Sequence, residues 1–284
     1  MKTVHTIAEL REEVRNQKAA GNKVGFVPTM GNLHEGHISL VEKANEVSDF
    51  VVASIFVNPL QFGAGEDLDT YPRTLKEDQE KLEAAEADLL FAPSVSEMYP
   101  DGNAAQTTVT VPDELTNTLC GASRPGHFCG VTTVVTKLFG MVQPDLAVFG
   151  EKDFQQLAVI RRMTNDLCLP VEIIGMPTVR EDDGLAKSSR NGFLTEQERA
   201  KAVVVNQLIK ETIAKIESGD KNFKDMEQQG IERLKQEGFE PDYFAIRQQD
   251  TLKDATADDK KIVVLVAAKL GTPRLIDNMC CELN

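Results

Sequence analysis

The sequence predicts an α/β fold: a doubly wound parallel sheet followed by a second, smaller α+β domain at the C-terminal end. Three observations carry this. Short apolar runs recur at KVGFVP, DFVVASIFVNP, ADLLFAP, DLAVFG and VEIIGMP, mostly closing on Gly, Pro or Asn, as buried parallel strands do. Helix-like segments lie between several of them, at 38–47, 74–87 and 154–166, which is the alternation of βα units. After Met176 the texture changes to charged helical stretches at 195–218 and 223–237, with strand candidates at 243–247 and 261–270.

The segment from Val131 to Met141 is rich in Val and Thr, and periodicity does not separate strand from helix there; helix is the preferred reading. The N-terminal run MKTVHTIAELREEVRNQ is polar and helix-like, with no apolar signal-peptide core, and no apolar run reaches membrane-spanning length. A chain of 284 residues exceeds the usual single-domain size, and the expected division is residues 1–176 and 177–284.

A formal net charge of -14 argues against recognition of a phosphate backbone, which needs a dense basic face that releases counterions. A local basic pocket for a small anion is still compatible with it. The five cysteines, Cys120, Cys129, Cys168, Cys280 and Cys281, form no CxxC pair and no cluster at zinc-ligand spacing, so neither a metal site nor a disulfide framework is expected. A reducing, cytoplasmic setting fits this usage.

Chemistry concentrates at two strand-to-helix turns. The first, PTMGNLHEGH, runs from the VGFVP strand into a helix; Gly31 and Gly36 permit close backbone approach, and His34 and His37 stand three residues apart on one helical face. Backbone N–H groups at a helix start, with two imidazoles, suit a triphosphate: attack on the α-phosphorus loads charge onto oxygens that pre-placed donors stabilise. The second turn, in DLAVFGEKDFQQL, places Gly150, Lys152 and Asp153 at another strand end, where Lys152 can serve as a mobile point charge. Further on, Lys187, Ser188, Ser189 and Arg190 form a donor-rich run in LAKSSRNGF, similar to a KMSKS-type loop that closes over a triphosphate and excludes water.

With PTMGNLHEGH, SIFVNPLQFG, DLDTYPRT, GASRPGHF, FGEKDFQQL and LAKSSRNGFL present in order, nearly the whole chain resembles the pantothenate synthetase family of HxGH nucleotidyl-transferases. HxGH alone is shared with cytidylyl- and adenylyltransferases and class I aminoacyl-tRNA synthetases; SRPGHF with FGEKDFQQL is far more specific. The resemblance implies a Rossmann-like N-terminal domain, a smaller C-terminal lid and a homodimer. It also implies a ligase that forms pantoyl adenylate from pantoate and ATP with Mg2+, then transfers the pantoyl group to β-alanine. Carried over by position, it makes Met30, Gly31, Asn32, Leu33, His34, Glu35, Gly36 and His37 line the nucleotide, with His37 the proton donor. Asn58, Gly150, Glu151, Lys152, Asp153, Val179, Lys187, Ser188, Ser189 and Arg190 become further nucleotide contacts. Gln61 and Gln156 bind pantoate through amides able to bond carboxylate and hydroxyl together. Arg124 is implied for pyrophosphate and Asp78 for magnesium, through water.

Competing readings are a nucleotidylyltransferase acting on a phosphate, which has no need of Gln61 and Gln156, and a nucleotide sensor without turnover, which has no need of His34, His37, Lys152 and Arg190. A tRNA synthetase is disfavoured by the acidity and by the lack of an anticodon-binding domain. No nucleic-acid or membrane partner is expected.

Overall fold

The computed structural model describes residues 1–63, 65–103 and 105–283. Asn284, the last residue of the expected second domain, lies outside them. By contacts the chain divides into two units: the first takes in 1–116, 124–151 and 156–177, the second 117–123, 152–155 and 178–284. The second unit thus begins its long segment at Thr178 but also takes in two short pieces from earlier in the chain.

In the first unit the elements run β1 (Lys2–Val4), α1 (Ile7–Ala19), β2 (Val24–Thr29), α2 (Glu35–Val47), β3 (Phe50–Ile55), α3 (Leu75–Ala84) and β4 (Leu89–Phe91). After the short helices α4 (Val95–Met98), α5 (Asp113–Thr116) and α6 (Cys120–Ser123), the last of which falls in the second unit, come α7 (His127–Val142), β5 (Leu146–Gly150), α8 (Phe154–Asp166) and β6 (Glu172–Met176). The six strands are all parallel, in the order β1-β4-β3-β2-β5-β6. All five apolar runs are strands, and the ambiguous Val131–Met141 segment is helix α7. The polar N-terminus opens with a short strand, β1, that the pattern hides; α1 follows, started by a capping box between Thr6 and Glu9.

Helices cover both faces of the sheet, which is why its inner strands are apolar runs rather than alternating. Phe26 of β2 meets Phe139 of α7 edge-on at 6.4 Å. Its neighbour Val27, pointing to the opposite face, joins the cluster formed by Leu40, Val41 and Ala44 of α2 and Leu82 of α3. From β2 the order grows through β3 and β4 on one side and through β5 and β6 on the other. The order therefore reverses between β2 and β5, and in open α/β sheets ligands bind beyond the carboxyl ends of the strands at such a reversal.

The second unit contains α9 (Glu196–Ala202), α10 (Val204–Glu217), α11 (Phe223–Gln236), β7 (Glu240–Gln248), β8 (Lys261–Lys269) and β9 (Arg274–Glu282). The helical stretch expected over 195–218 is two helices, broken at Val203. The strands form an antiparallel meander, and α10 and α11 bury Ile209, Ile213, Met226 and Leu234 in one cluster with Val264 and Val266. Strand β9 places Cys281 in that core and Cys280 outside, so the adjacent cysteines are split by strand alternation.

Candidate active site

The two glycine turns read from the sequence follow β2 and β5, the strands on either side of the order reversal. Gly25 pairs with Leu146 and Phe26 with Ala147, so the carboxyl ends of the two strands share one edge of the sheet.

The first turn is built from within. Gly31 (φ +83) and Asn32 (φ 51) both take left-handed backbone, reversing the chain between Thr29 and the start of α2. His34 is the N-cap of α2: its Nδ1 accepts the Gly36 N–H at 3.1 Å, while the His34 N–H donates to Nδ1 of His37 at 3.3 Å. The rings are tilted by 46° with centroids 4.1 Å apart. Since each Nδ1 accepts, each neutral ring carries its proton on Nε2, which becomes the donor.

The same bonds revise the expectation that backbone N–H groups of this turn face a phosphate. Gly31 N–H goes to the Thr29 hydroxyl at 3.2 Å, those of Asn32 and Leu33 go to Asp78, and that of His37 goes to the His34 carbonyl at 2.7 Å. The donors this turn offers besides these N–H groups are the two imidazoles, at the positive end of the α2 dipole.

Asp78, expected at magnesium, does not fit a metal ligand. It is buried, its two oxygens accept the Asn32 and Leu33 N–H groups at 2.8 Å each, and the Thr74 hydroxyl donates to Oδ2 at 3.1 Å. Among the described residues no group of three or more His, Cys, Asp or Glu side chains is arranged to hold a metal ion.

Asn58, expected at the nucleotide, is also buried and internally bonded. Its Oδ1 accepts from Tyr99 Oη at 2.7 Å and Leu60 N–H at 3.3 Å; its Nδ2 donates to Gln61 Oε1 and to the Gly130 carbonyl, both at 3.1 Å. Burial pushes the Tyr99 phenol above its usual range, which keeps it a donor. Gly130 is required here, because a Cβ would stand 2.3 Å from the Leu60 carbonyl where α7 crosses the 3-10 turn Pro59–Gln61. Asn58 thus sets the amide of half-buried Gln61, whose Nε2 donates to the Met30 sulfur at 2.8 Å.

Arg124, expected at pyrophosphate, is committed to Glu66 by contacts of 2.8 and 2.5 Å, to the Gln61 carbonyl at 3.2 Å and to His127 Nε2 at 3.1 Å. His127 donates from Nδ1 to the same Gln61 carbonyl at 2.8 Å. Burial alone would push the Glu66 carboxyl up, but the hydrogen bond and charge of Arg124 outweigh it and hold it below the usual carboxylate range. The SRPGHF motif is thus a clamp on the Gln61 backbone. His127 stood inside that motif without an assigned role, and Tyr99 had no sequence signal at all.

Gln156 is half-buried on α8, and its amide makes no hydrogen bond among the described residues. Gly150 ends β5 and Glu151 opens the 3-10 turn that continues through Lys152 and Asp153.

In the second unit, Lys152 is largely buried, with Nζ 3.9 Å from Asp153 Oδ2, and its carbonyl accepts from Asn278 Nδ2 at 2.9 Å. Val179 accepts the Lys187 N–H at 2.9 Å across a tight reversal, and Lys187 Nζ lies 3.2 Å from Glu181. Ser188 caps the 3-10 turn Ser189–Phe193 through the Arg190 N–H at 3.2 Å, so the KSSR run is a capped turn rather than an open loop. Arg180 anchors the segment bidentately to buried Asp277, at 2.7 and 2.9 Å.

A parallel sheet with glycine turns flanking its order reversal, one presenting paired imidazoles on a helix cap, defines a nucleotide-binding α/β enzyme of the HxGH class. Comparison with known proteins is more specific: residues 2–280 match the family model for pantoate-beta-alanine ligase, and the chain belongs to that family. It is 62% identical to a pantothenate synthetase of Marinobacter nauticus, over 98% of this chain and 99% of that one. It is 61% identical to one of Pseudomonas fluorescens, over 100% of this chain and 99% of the relative. The crystal structure of pantothenate synthetase from Thermus thermophilus superposes with a TM-score of 0.92 at 48% identity, covering 98% of this chain and 99% of that chain. The pantoate-beta-alanine ligase of Francisella tularensis, complexed with beta-gamma ATP and beta-alanine, gives 0.82 at 35% identity, covering 98% and 97%.

Proposed function

We propose that this chain joins pantoate to β-alanine with ATP, releasing AMP and pyrophosphate. The observation that carries the reading is the pair of imidazoles at the carboxyl end of β2, each with Nδ1 accepting a backbone N–H, which puts the proton of the neutral ring on Nε2. In the first step a pantoate carboxylate oxygen attacks the α-phosphorus and pyrophosphate leaves with the electrons of the broken P–O bond. His34 and His37 donate to oxygens on which charge develops, an effect of on the order of 100-fold or more per donor. In the second step the β-alanine amine attacks the acyl carbon of pantoyl adenylate, AMP departs, and the amine gives up its proton as the amide forms.

On this reading Gln61 and Gln156 hold pantoate, Lys152 and the Lys187–Arg190 run serve the phosphates, and magnesium enters with the nucleotide. Residues 1–176 are the catalytic domain and 177–284 the lid, in a cytoplasmic homodimer. Family membership supports the reaction, and the separation of side-chain donors from backbone bonds supports the roles of the histidines. Protein incubated with ATP, magnesium, pantoate and β-alanine releases AMP and pyrophosphate in equal amounts, read by phosphorus NMR. ADP as the product overturns the reading.

A further inference from the structure

Helix α3 grips the histidine turn from behind, and the grip has a chemistry that phosphate binding alone does not call for. A buried carboxylate near an anion-binding helix start lowers the positive potential that draws the anion. Yet Asp78 sits there fully buried, holding the N–H groups of Asn32 and Leu33 at 2.8 Å. Three residues on, Lys81 Nζ donates to the Leu33 carbonyl at 2.6 Å. Both polar groups of the Leu33 backbone are therefore fixed by side chains of one helix.

That grip falls on the left-handed part of the turn. Asn32 holds left-handed backbone at φ 51, a conformation that asparagine tolerates better than most residues and that the Asp78 carboxylate holds in place through its N–H. At Gly31 the approach is close: a Cβ there would stand 3.1 Å from Asp78 Oδ2. His34 follows Leu33 directly and passes its own N–H to His37 Nδ1. The orientation of both rings is thus tied to α3 through one peptide link and one further hydrogen bond.

We propose that Asp78 and Lys81 are positioning residues for adenylate formation: they trade electrostatic attraction for ATP against a fixed placement of the two imidazole donors. Asp78 acts through the Asn32 and Leu33 N–H groups, and holds no divalent cation. The inference rests on His34 and His37 being phosphate donors, as proposed above.

Pantoate-dependent exchange of pyrophosphate into ATP tests it with Asp78→Asn and Lys81→Met. Asparagine keeps the size but turns one acceptor into a donor facing an N–H; Lys81 is exposed, so its replacement leaves the core intact. Asp78→Asn is expected to lower kcat on the order of 30- to 100-fold and Lys81→Met roughly 3- to 10-fold, the scale of a misplaced catalytic group. The magnesium midpoint stays within about threefold of wild type, and the ATP KM does not rise, because the lost positioning belongs to the transition state and removing the Asp78 charge only favours the anion. Unchanged kcat in both variants overturns the proposal. So does a magnesium midpoint raised tenfold or more in Asp78→Asn with kcat recovered at high magnesium, which makes Asp78 a metal ligand. Should Asp78→Asn fail to fold, Lys81→Met decides alone by the same kcat criterion. Wild-type protein that exchanges no pyrophosphate defeats the ligase reading itself, a failure separate from a variant that matches an active wild type.

Discussion

Tyr99 donates its phenol to Asn58 Oδ1 at 2.7 Å, the shortest of the four hydrogen bonds that fix which way the Asn58 amide faces. With Oδ1 taken by Tyr99 and Leu60, Nδ2 has to point at Gln61 and Gly130. Tyr99→Phe leaves Oδ1 with only the 3.3 Å Leu60 N–H in a buried setting. The expected cost is about 1–2 kcal/mol, seen as a lower urea midpoint. As the Asn58 amide is held less firmly against Gln61, the pantoate KM rises several-fold while the ATP KM holds. A variant that loses stability with no change in pantoate KM removes Asn58 from the support of Gln61.

His34 combines two roles that substitution separates. Its Nδ1 caps α2, and its Nε2–H is the proposed phosphate donor. His34→Ala loses both, with about 1 kcal/mol of stability from the cap and on the order of 100-fold in adenylate formation. His34→Asn keeps a side-chain acceptor for the Gly36 N–H and lacks the imidazole Nε2–H, its own amide N–H groups lying on a shorter side chain. It is expected to match wild type in thermal unfolding yet stay as slow as the alanine variant. A fast asparagine variant means that His34 serves only as a cap.

These assignments show what a sequence discloses and what it withholds. The four inner strands were legible because strands buried on both faces are uninterrupted apolar runs, and edge strand β6 was legible from its apolar composition although it is only half-buried. Three-residue β1 is too short and polar to register, and β9, which reads RLIDNMCCE, hides because it buries Asp277 and Asn278. The motif residues were legible as positions but not as partners. Asp78, Arg124 and Asn58 each looked available to a ligand, and each is instead bonded to protein 41 to 72 residues away in sequence. Residue type shows what a group can bond, whereas folding decides which group reaches it first.

The Glu66–Arg124 pair makes the Gln61 clamp sensitive to acid. Arg124 holds the folded Glu66 carboxyl below its usual value despite burial. A depressed folded value means that the pair stabilises above the unfolded carboxyl value of about 4.3, and that this stabilisation is lost as pH falls through the folded value. Urea midpoints of wild type and Glu66→Gln should therefore differ most at pH 7 and converge toward pH 3. A gap that stays constant across that range shows that the carboxylate charge contributes nothing to the clamp.

Asp277 and Asn278, neighbours on β9, hold two of the proposed phosphate-binding segments by different means. Asp277 pairs with Arg180, whose guanidinium also reaches the carbonyls of Gly184 and Asn278 at 3.1 Å each, ahead of the KSSR turn. Asn278 holds the carbonyl of Lys152. Removing one partner of a buried ion pair leaves the other uncompensated; for Asp277→Ala the cost is about 3 kcal/mol, toward the low end because the Arg180 side chain keeps 20% exposure. Asn278→Ala gives up the neutral hydrogen bond to the Lys152 carbonyl, about 1 kcal/mol. Stability and rate are expected to rank the two variants in opposite orders. Asp277→Ala should unfold at a clearly lower urea concentration, yet below that midpoint Arg180 still bonds the two carbonyls and the KSSR turn keeps its shape. Asn278→Ala stays nearly as stable as wild type and slows pyrophosphate exchange several-fold, because the Lys152 backbone is no longer fixed. If Asn278→Ala exchanges pyrophosphate at the wild-type rate, placement of Lys152 does not depend on β9, and the adjacency of the two side chains has only a structural meaning.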